Sequence, residues 1–140
     1  PFGLGMKQGH MREQTAEMME RFDVRPRDAQ LGSSKFSGGN QQKLILAREI
    51  GQRPQVLLVG QPTRGVDIGA IEFIHGQLRR MAREGCAVLL VSSELDEILA
   101  LADRVIVMNG GRVTGERGIA ECDEKTLGLL MAAQAEEQGA

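Results

Sequence analysis

Hydrophobic residues are spaced differently in different parts of this chain. In residues 10–22 and 40–50 they recur every three or four positions, which predicts two helices with one apolar side each. Residues 56–59 and 87–91 are unbroken apolar runs, as expected of strands buried on both faces of a parallel sheet. Residues 68–83 return to helical spacing. The strand–helix–strand order predicts an α/β layered fold.

The helical spacing also predicts which side chains lie inward. Ser37 stands where it can cap the second helix, and Asp67 where it can cap the third. The segment between the first two helices contains Pro26, Gly32 and paired serines, which predicts a loop. The helically spaced positions of the first helix are Met11, Thr15, Met18, Met19 and Phe22, and its methionines are expected to pack against the core or a partner. The apolar stripe of the second helix is Leu44, Ile45, Ala47 and Ile50, and the inward positions of the third are Ile71, Ile74, Leu78 and Met81.

The C-terminal part predicts a short helix, a hairpin and a final helix. Ser93 and Asp96 have the spacing of a capping box, so a helix over residues 94–101 is expected to begin after Ser93. The Asn-Gly-Gly sequence at 109–111 separates two short strand-like runs and is a strong hairpin signal. A helix over residues 123–133 precedes a polar tail.

Composition narrows the classes of function. The chain has 140 residues, of which 41% are hydrophobic and 26% charged, as in a folded globular domain. The net charge of -2 and the aromatic content of 3% argue against nucleic-acid binding. No apolar run approaches the roughly 18–20 residues needed to cross a bilayer, so any membrane association is expected to involve a partner. Cys86 and Cys122 have neither metal-ligand spacing nor a disulfide framework.

The residues with the clearest chemistry follow Phe36. Ser37, Gly38 and Gly39 stand where the second helix begins, so backbone N–H groups, the positive end of the helix dipole and a hydroxyl can converge on an anion. Glycines let the backbone approach a phosphate closely. The alternative interpretation of these three residues alone is an ordinary serine N-cap followed by a glycine-rich turn.

A series of motifs in a fixed order favours the first interpretation. Residues 36–43, Phe-Ser-Gly-Gly-Asn-Gln-Gln-Lys, resemble the signature motif of ABC ATPases in the form typical of sugar and nucleoside importers. Residues 56–63 resemble the Walker B strand with its Pro-Thr continuation, and residues 64–67 resemble the D-loop. Residues 91–94 occupy the switch position. A hairpin similar to the last hairpin of the family follows in the same order.

The resemblance implies a partial P-loop NTPase fold, an α/β layered sheet with a helical subdomain that carries the signature. Residues 1–51 would be a piece of that helical subdomain, and residues 52–140 the distal α/β core with a terminal hairpin and helix. In the family, two nucleotide-binding domains meet head to tail, and the signature of each completes the ATP site of the other. The resemblance therefore assigns to the ATP of a partner domain the signature residues Ser37, Gly38, Gly39, Asn40 and Gln41, with Asp67 of the D-loop in cross-domain contact.

Three departures from the family pattern predict that the isolated chain does not hydrolyse ATP. The sequence has no Gly-Lys dipeptide and therefore no Gly-x4-Gly-Lys-Ser/Thr phosphate-binding loop, which we expect upstream in a longer polypeptide. Gly60 and Gln61 stand where the family has an aspartate for Mg²⁺ and a glutamate for the attacking water, and a neutral amide is a poor base. Ser93 replaces the switch histidine and is expected to act as a helix cap. No catalytic residue and no metal ligand are assigned.

The resemblance also implies cofactors and partners. ATP and Mg²⁺ are expected in the full assembly, with neither tightly bound to the isolated chain. The partners would be a second nucleotide-binding domain, expected in the same polypeptide, transmembrane permease subunits and, indirectly, a substrate-binding protein. The string over residues 61–75 is typical of the nucleoside (BMP-type) branch. The implied location is peripheral, on the cytoplasmic face of the cell membrane.

The main alternative is a non-catalytic regulatory or interaction module with a relic signature. Arg64 would face either the partner domain or the upstream segment, and His75 is expected to be packed rather than a ligand. An unpaired sheet edge next to residues 56–59 should favour self-association. We also expect an aspartate at Gly39 to leave folding intact, because acidic residues are favourable in the first turn of a helix.

Overall fold

The computed structural model describes residues 8–132. Residues 1–7 and 133–140 lie outside the described residues. They are the start of the predicted segment 1–51 and the end of the predicted segment 52–140, including the last residue of the predicted final helix and the polar tail. The predicted helices and strands are all present. In chain order they are α1 (Gln8–Arg21), α2 (Gly38–Gly51), β1 (Val56–Gly60), α3 (Ile68–Arg83), β2 (Ala87–Val91), α4 (Leu95–Leu101), β3 (Arg104–Asn109), β4 (Arg112–Gly118) and α5 (Glu124–Ala132), with 3₁₀ turns at Ser33–Lys35 and Ile119–Glu121.

The chain divides into two compact units. The first contains the described residues through Leu57 together with Pro62–Leu89, and the second contains Leu58–Gln61 and the residues from 90 onward. The division passes through β1 and β2. The boundary between residues 51 and 52, which follows from the subdomains of the resembled family, stays a prediction.

Helices α1, α2 and α3 supply the core of the first unit. Phe22, which directly follows α1, packs edge-on against Phe73 of α3, with 6.0 Å between the ring centroids. Ile45, which the sequence places in the apolar stripe of α2, is 51% exposed, while Leu46 is buried. Neighbouring residues differ by about 100° around a helix axis, so the contact of α2 with α3 decides which of the two is covered. Met11, expected to pack against the core or a partner, is exposed.

Strands β1 and β2 form a two-stranded sheet. The N–H of Ala87 donates to the carbonyl of Gln55 (2.9 Å), and the N–H of Gln61 donates to that of Val91 (2.8 Å). The two bonds advance along both strands in the same direction, so the strands are parallel as predicted.

The prediction that β1 and β2 are buried on both faces is wrong for the described residues. Leu57 is 5% exposed, whereas one set of alternate side chains in each strand is largely exposed. Successive side chains of a strand point to opposite faces. Within residues 8–132 only one face of this sheet is therefore covered, and the exposed set is Val56, Leu58, Leu89 and Val91.

The second unit is built around the predicted hairpin. Strands β3 and β4 pair antiparallel, with a register irregularity after Val107. The turn uses Gly110 and Gly111 at φ 56° and 77°, the left-handed region that glycine adopts without strain. Val107 and Leu127 form part of the buried core against which α4 and α5 pack.

Candidate functional site

Ser37 caps α2, as predicted. Its backbone is extended (φ -60°, ψ 159°), and its hydroxyl oxygen accepts hydrogen bonds from Asn40. The backbone N–H of Asn40 lies 3.4 Å from Ser37 Oγ, and the side-chain Nδ2 lies 2.9 Å from the same atom. The first turn of α2 is therefore held at its start by one serine hydroxyl.

The amides that follow the glycines bind protein groups. Asn40 Oδ1 accepts a hydrogen bond from the backbone N–H of Arg25 at 2.8 Å, and Gln41 Nε2 donates to the carbonyl of Phe36 at 2.9 Å. Both side chains hold the chain around the signature in place. The sequence predicted neither interaction. Both partners are backbone groups, which are present whatever the residue type, and the partner of Asn40 lies fifteen positions away along the chain.

Lys43, the last residue of the signature run, is directed into the protein. Its Nζ donates to the carbonyl oxygen of Asp23 at 3.1 Å, lies 3.9 Å from the carboxylate of the same residue, and sits 4.9 Å from the centre of the Phe73 ring. The side chain is only 12% exposed. Lys43 thus ties α2 to the loop after α1 and to α3.

The two signature glycines lie against the D-loop. A Cβ atom on Gly38 would come within 3.3 Å of the Gly65 carbonyl oxygen. A Cβ on Gly39 would lie 3.0 Å from Ala70 Cβ and 3.1 Å from Asp67 Oδ2. The absence of side chains therefore lets α2 pack closely on the start of α3. An aspartate at Gly39 would require these neighbours to shift by a few tenths of an ångström. The expectation that such a variant still folds stays a prediction.

Asp67 caps α3, as predicted. Its backbone is extended, and its Oδ1 accepts a hydrogen bond from the N–H of Ala70 at 2.9 Å. Gly65, two residues earlier, has φ 73° and allows the chain to turn into the helix. The first unit thus brings the signature and the D-loop into direct contact. Arg64 is exposed, and His75 is buried, as expected of a packed residue.

The degenerate positions Gln61 and Ser93 are joined in the second unit. Gln61 follows β1 with φ 49°, unusual for a residue with a side chain. Its Nε2 lies 3.2 Å from Ser93 Oγ, and its Oε1 lies 3.4 Å from the same hydroxyl. Neither residue carries a carboxylate. Gly60 is exposed, and a Cβ there would meet no atom within 4 Å.

The predicted capping role of Ser93 is wrong. Helix α4 begins at Leu95, and its N-cap is Glu94, whose side chain makes no capping hydrogen bond. Ser93 precedes the cap position, and its hydroxyl is directed to Gln61 instead. The hydroxyl of Ser92 accepts a hydrogen bond from the N–H of Glu94 at 3.1 Å. The capping-box spacing was misleading because the helix starts one residue later than predicted.

Residues 8–132 contain no group of three or more His, Cys, Asp or Glu side chains arranged to hold a metal ion. Over the same residues, every helix is too short or too polar to span a bilayer.

No protein-family model matches the chain, but many curated proteins are similar to it. The nucleoside import ATP-binding protein NupA of Lactococcus lactis is 50% identical over 115 residues, which are 82% of this chain and 23% of that protein. The guanosine import ATP-binding protein NupO of Bacillus subtilis is 42% identical over 133 residues, or 95% of this chain and 26% of that protein. The chain thus spans about a quarter of the length of these relatives.

Solved structures agree with this similarity. The dimeric structure of MJ0796, a bacterial ABC transporter cassette, superposes with a TM-score of 0.70 at 25% identity, over 82% of this chain and 50% of that cassette. An ATP-binding subunit of an ABC transporter superposes with a TM-score of 0.72 over 92% of this chain and 57% of that subunit, at 17% identity, which shows the common fold. The α/β architecture is therefore that of part of an ABC ATPase cassette, a partial P-loop NTPase fold. Taken with the identities above, these likenesses establish that the chain belongs to the family of ABC transporter ATP-binding proteins.

Proposed function

We propose that this chain is the signature-donating part of an ABC importer ATPase, and that it completes an ATP site whose phosphate-binding loop lies in a partner domain. The observation that carries this proposal is the geometry around Ser37. A capped helix start, two glycines and a hydroxyl held by Asn40 stand together in the first unit. The first N–H groups of a helix have no intrahelical partner and carry the positive end of its dipole, so they suit a phosphate.

The second unit supports a role as donor rather than as hydrolytic centre. Gly60 has no side chain for a metal shell, and Gln61 offers a neutral amide that is bonded to Ser93. Phosphoryl transfer depends mainly on positioning and on stabilisation of charge. A chain without a base can therefore still contribute to catalysis by contacting the γ-phosphate of ATP that another domain holds, with Mg²⁺ bound there as well.

The names of the relatives indicate the class of molecule that the full transporter would import. They are described as import ATP-binding proteins for nucleosides, guanosine and ribose. We place this chain in the second nucleotide-binding domain of such a protein, which would bind permease subunits at the cytoplasmic face of the membrane. A substrate-binding protein would deliver a nucleoside or simple sugar to that permease.

The test is to replace Ser37 by alanine in the assembled transporter. Removal of one donor to developing charge lowers the turnover of other enzymes by about 10²–10³-fold, and we expect a loss of that order in ATP hydrolysis. ATP binding at the partner's phosphate-binding loop should be little changed. Ser37→Thr, which keeps the hydroxyl, should retain most of the activity.

Ser37→Ala also removes a helix cap, which costs about 1 kcal/mol. The matched control is Asp123→Ala, which removes the hydrogen bond from the Thr126 N–H to Asp123 Oδ1 at the start of α5. This control should keep the ATPase activity. Equal, near-normal activity of both variants would favour the alternative function, a regulatory module with a relic signature.

A further inference from the structure

The orientation of the Asn40 amide is determined by a group that can only donate. The backbone N–H of Arg25 lies 2.8 Å from one terminal atom of the Asn40 side chain. That atom must be the oxygen, since an amide nitrogen does not accept a hydrogen bond from an N–H. The nitrogen of the same amide is therefore the atom that lies 2.9 Å from Ser37 Oγ, and it donates to the serine.

Two donors now bind one hydroxyl oxygen. Ser37 Oγ accepts from Asn40 Nδ2 at 2.9 Å and from the backbone N–H of Asn40 at 3.4 Å. A serine hydroxyl has two lone pairs and a single proton. With both lone pairs engaged by Asn40, the proton is left to be donated to an acceptor outside this pair.

We propose that Asn40 is a positioning residue that keeps the Ser37 hydroxyl as an outward donor to a phosphate oxygen of the nucleotide. This inference rests on the proposed function. It adds to that function a role for Asn40, which is to fix the direction in which the Ser37 hydroxyl donates. A serine free to rotate can present either its proton or a lone pair to a ligand. Because Asn40 engages the lone pairs, only the proton remains for a ligand. A phosphate, whose oxygens accept hydrogen bonds, suits such a donor.

The loop after α1 supports this arrangement at two points. Arg25 provides the N–H that orients Asn40, and the carbonyl of Asp23 accepts the ammonium group of Lys43. Asn40 and Lys43 are three residues apart and lie on the same side of α2. The rotation of α2 about its axis is thereby held by the same short loop that orients the amide, so the direction of the Ser37 proton is built into the packing of the first unit.

The experiment is a double-mutant cycle in the assembled transporter with Asn40→Asp and Ser37→Ala. The aspartate keeps an oxygen for the Arg25 N–H, and an acidic residue is favourable in the first turn of a helix, so the variant should fold. The aspartate side chain has no N–H to donate, so the Ser37 hydroxyl would donate to its carboxylate instead of to phosphate. We expect the kcat for ATP hydrolysis to fall by on the order of tenfold, which is within the range of coupling between residues in contact. The change in KM should be much smaller.

In the Ser37→Ala background the same Asn40→Asp change should have little further effect on kcat. An equal loss in both backgrounds would mean that the carboxylate repels phosphate without acting through Ser37, and would overturn the positioning role. Asn40→Ala, which introduces no charge, gives the same cycle if the aspartate variant is unstable. The control is Gln14→Glu, the corresponding amide-to-carboxylate change on the exposed part of α1, which should leave kcat unchanged.

The cycle also separates this inference from the proposal on which it rests. If Ser37→Ala has no effect on ATP hydrolysis, the signature-donating function and the positioning role both fail. If Ser37→Ala lowers the activity and Asn40→Asp does not, only the positioning role fails.

Discussion

The side-chain amide nitrogen of Gln61 lies 3.2 Å from the hydroxyl oxygen of Ser93. These residues are 32 positions apart and follow β1 and β2, at the ends of two parallel strands. The resembled family places a glutamate and a histidine at the corresponding positions, and here two neutral side chains bind one another. The contact joins the two strand ends without providing a base or a charge.

Restoring a carboxylate at this position should not create an active fragment. Gln61→Glu supplies a candidate base that can still accept a hydrogen bond from Ser93, but Gly60 offers no metal ligand and the chain has no phosphate-binding loop. We expect ATP turnover of the purified variant to equal that of a heat-inactivated sample in a phosphate-release assay. Turnover above that control would show that our account of the deficit is wrong.

The unmodified chain should bind Mg-ATP very weakly. It has no Gly-Lys dipeptide and neither Trp nor Tyr, so both a phosphate-binding loop and a base-stacking platform of those residues are missing from its sequence. Titration calorimetry should detect no strong binding. A dissociation constant in the low micromolar range would contradict this prediction.

Two glycine-to-alanine substitutions should change stability in opposite directions. Gly39→Ala places a methyl group 3.0 Å from Ala70 Cβ, where α2 meets α3, and overpacking of this kind costs about 1–3 kcal/mol. Gly76→Ala, in the interior of α3, meets no atom within 4 Å and should stabilise the helix by about 0.5–1 kcal/mol. Urea unfolding of the two variants measures both effects. An increase in stability with Gly39→Ala would contradict the predicted overpacking and would mean that the two helices shift by a few tenths of an ångström at little cost.

The cap at Asp67 should contribute to stability through hydrogen bonding rather than charge. Asp67→Ala removes the acceptor that lies 2.9 Å from the Ala70 N–H, and loss of a helix cap costs about 1 kcal/mol. Asp67→Asn keeps an acceptor oxygen and should stay close to the unmodified chain in the free energy of unfolding. If the asparagine variant loses as much stability as the alanine variant, the negative charge of Asp67 is the important feature.

The exposed apolar face of the β1–β2 sheet should cause the isolated chain to self-associate. Leu58 is 71% exposed on this face, and contiguous apolar surface and unpaired strand edges both favour association. Leu58→Glu should lower the apparent mass in light scattering at high protein concentration. Ile45→Glu, on α2 at 51% exposure, is the control and should have a smaller effect. A monomeric unmodified chain would contradict the prediction.

The sequence was sufficient for the elements and their order. The caps at Ser37 and Asp67, the bounds of α3 and the Asn-Gly-Gly hairpin were all predicted correctly, because capping, helical spacing and turn formation depend on residues within a few positions of each other. The motif order likewise identified the family. These features are local, so the chain alone determines them.

The tertiary structure decided which groups at the site bind each other. The pairing of Gln61 with Ser93, the hydrogen bond from Arg25 to Asn40 and the packing of Gly39 on Ala70 join residues that are 15 to 32 positions apart. The exposure of Ile45 in place of Leu46 was decided in the same way. Such contacts depend on where the helices and strand ends meet in space. Local residue patterns extend over only a few positions, so they do not specify which distant residues come together.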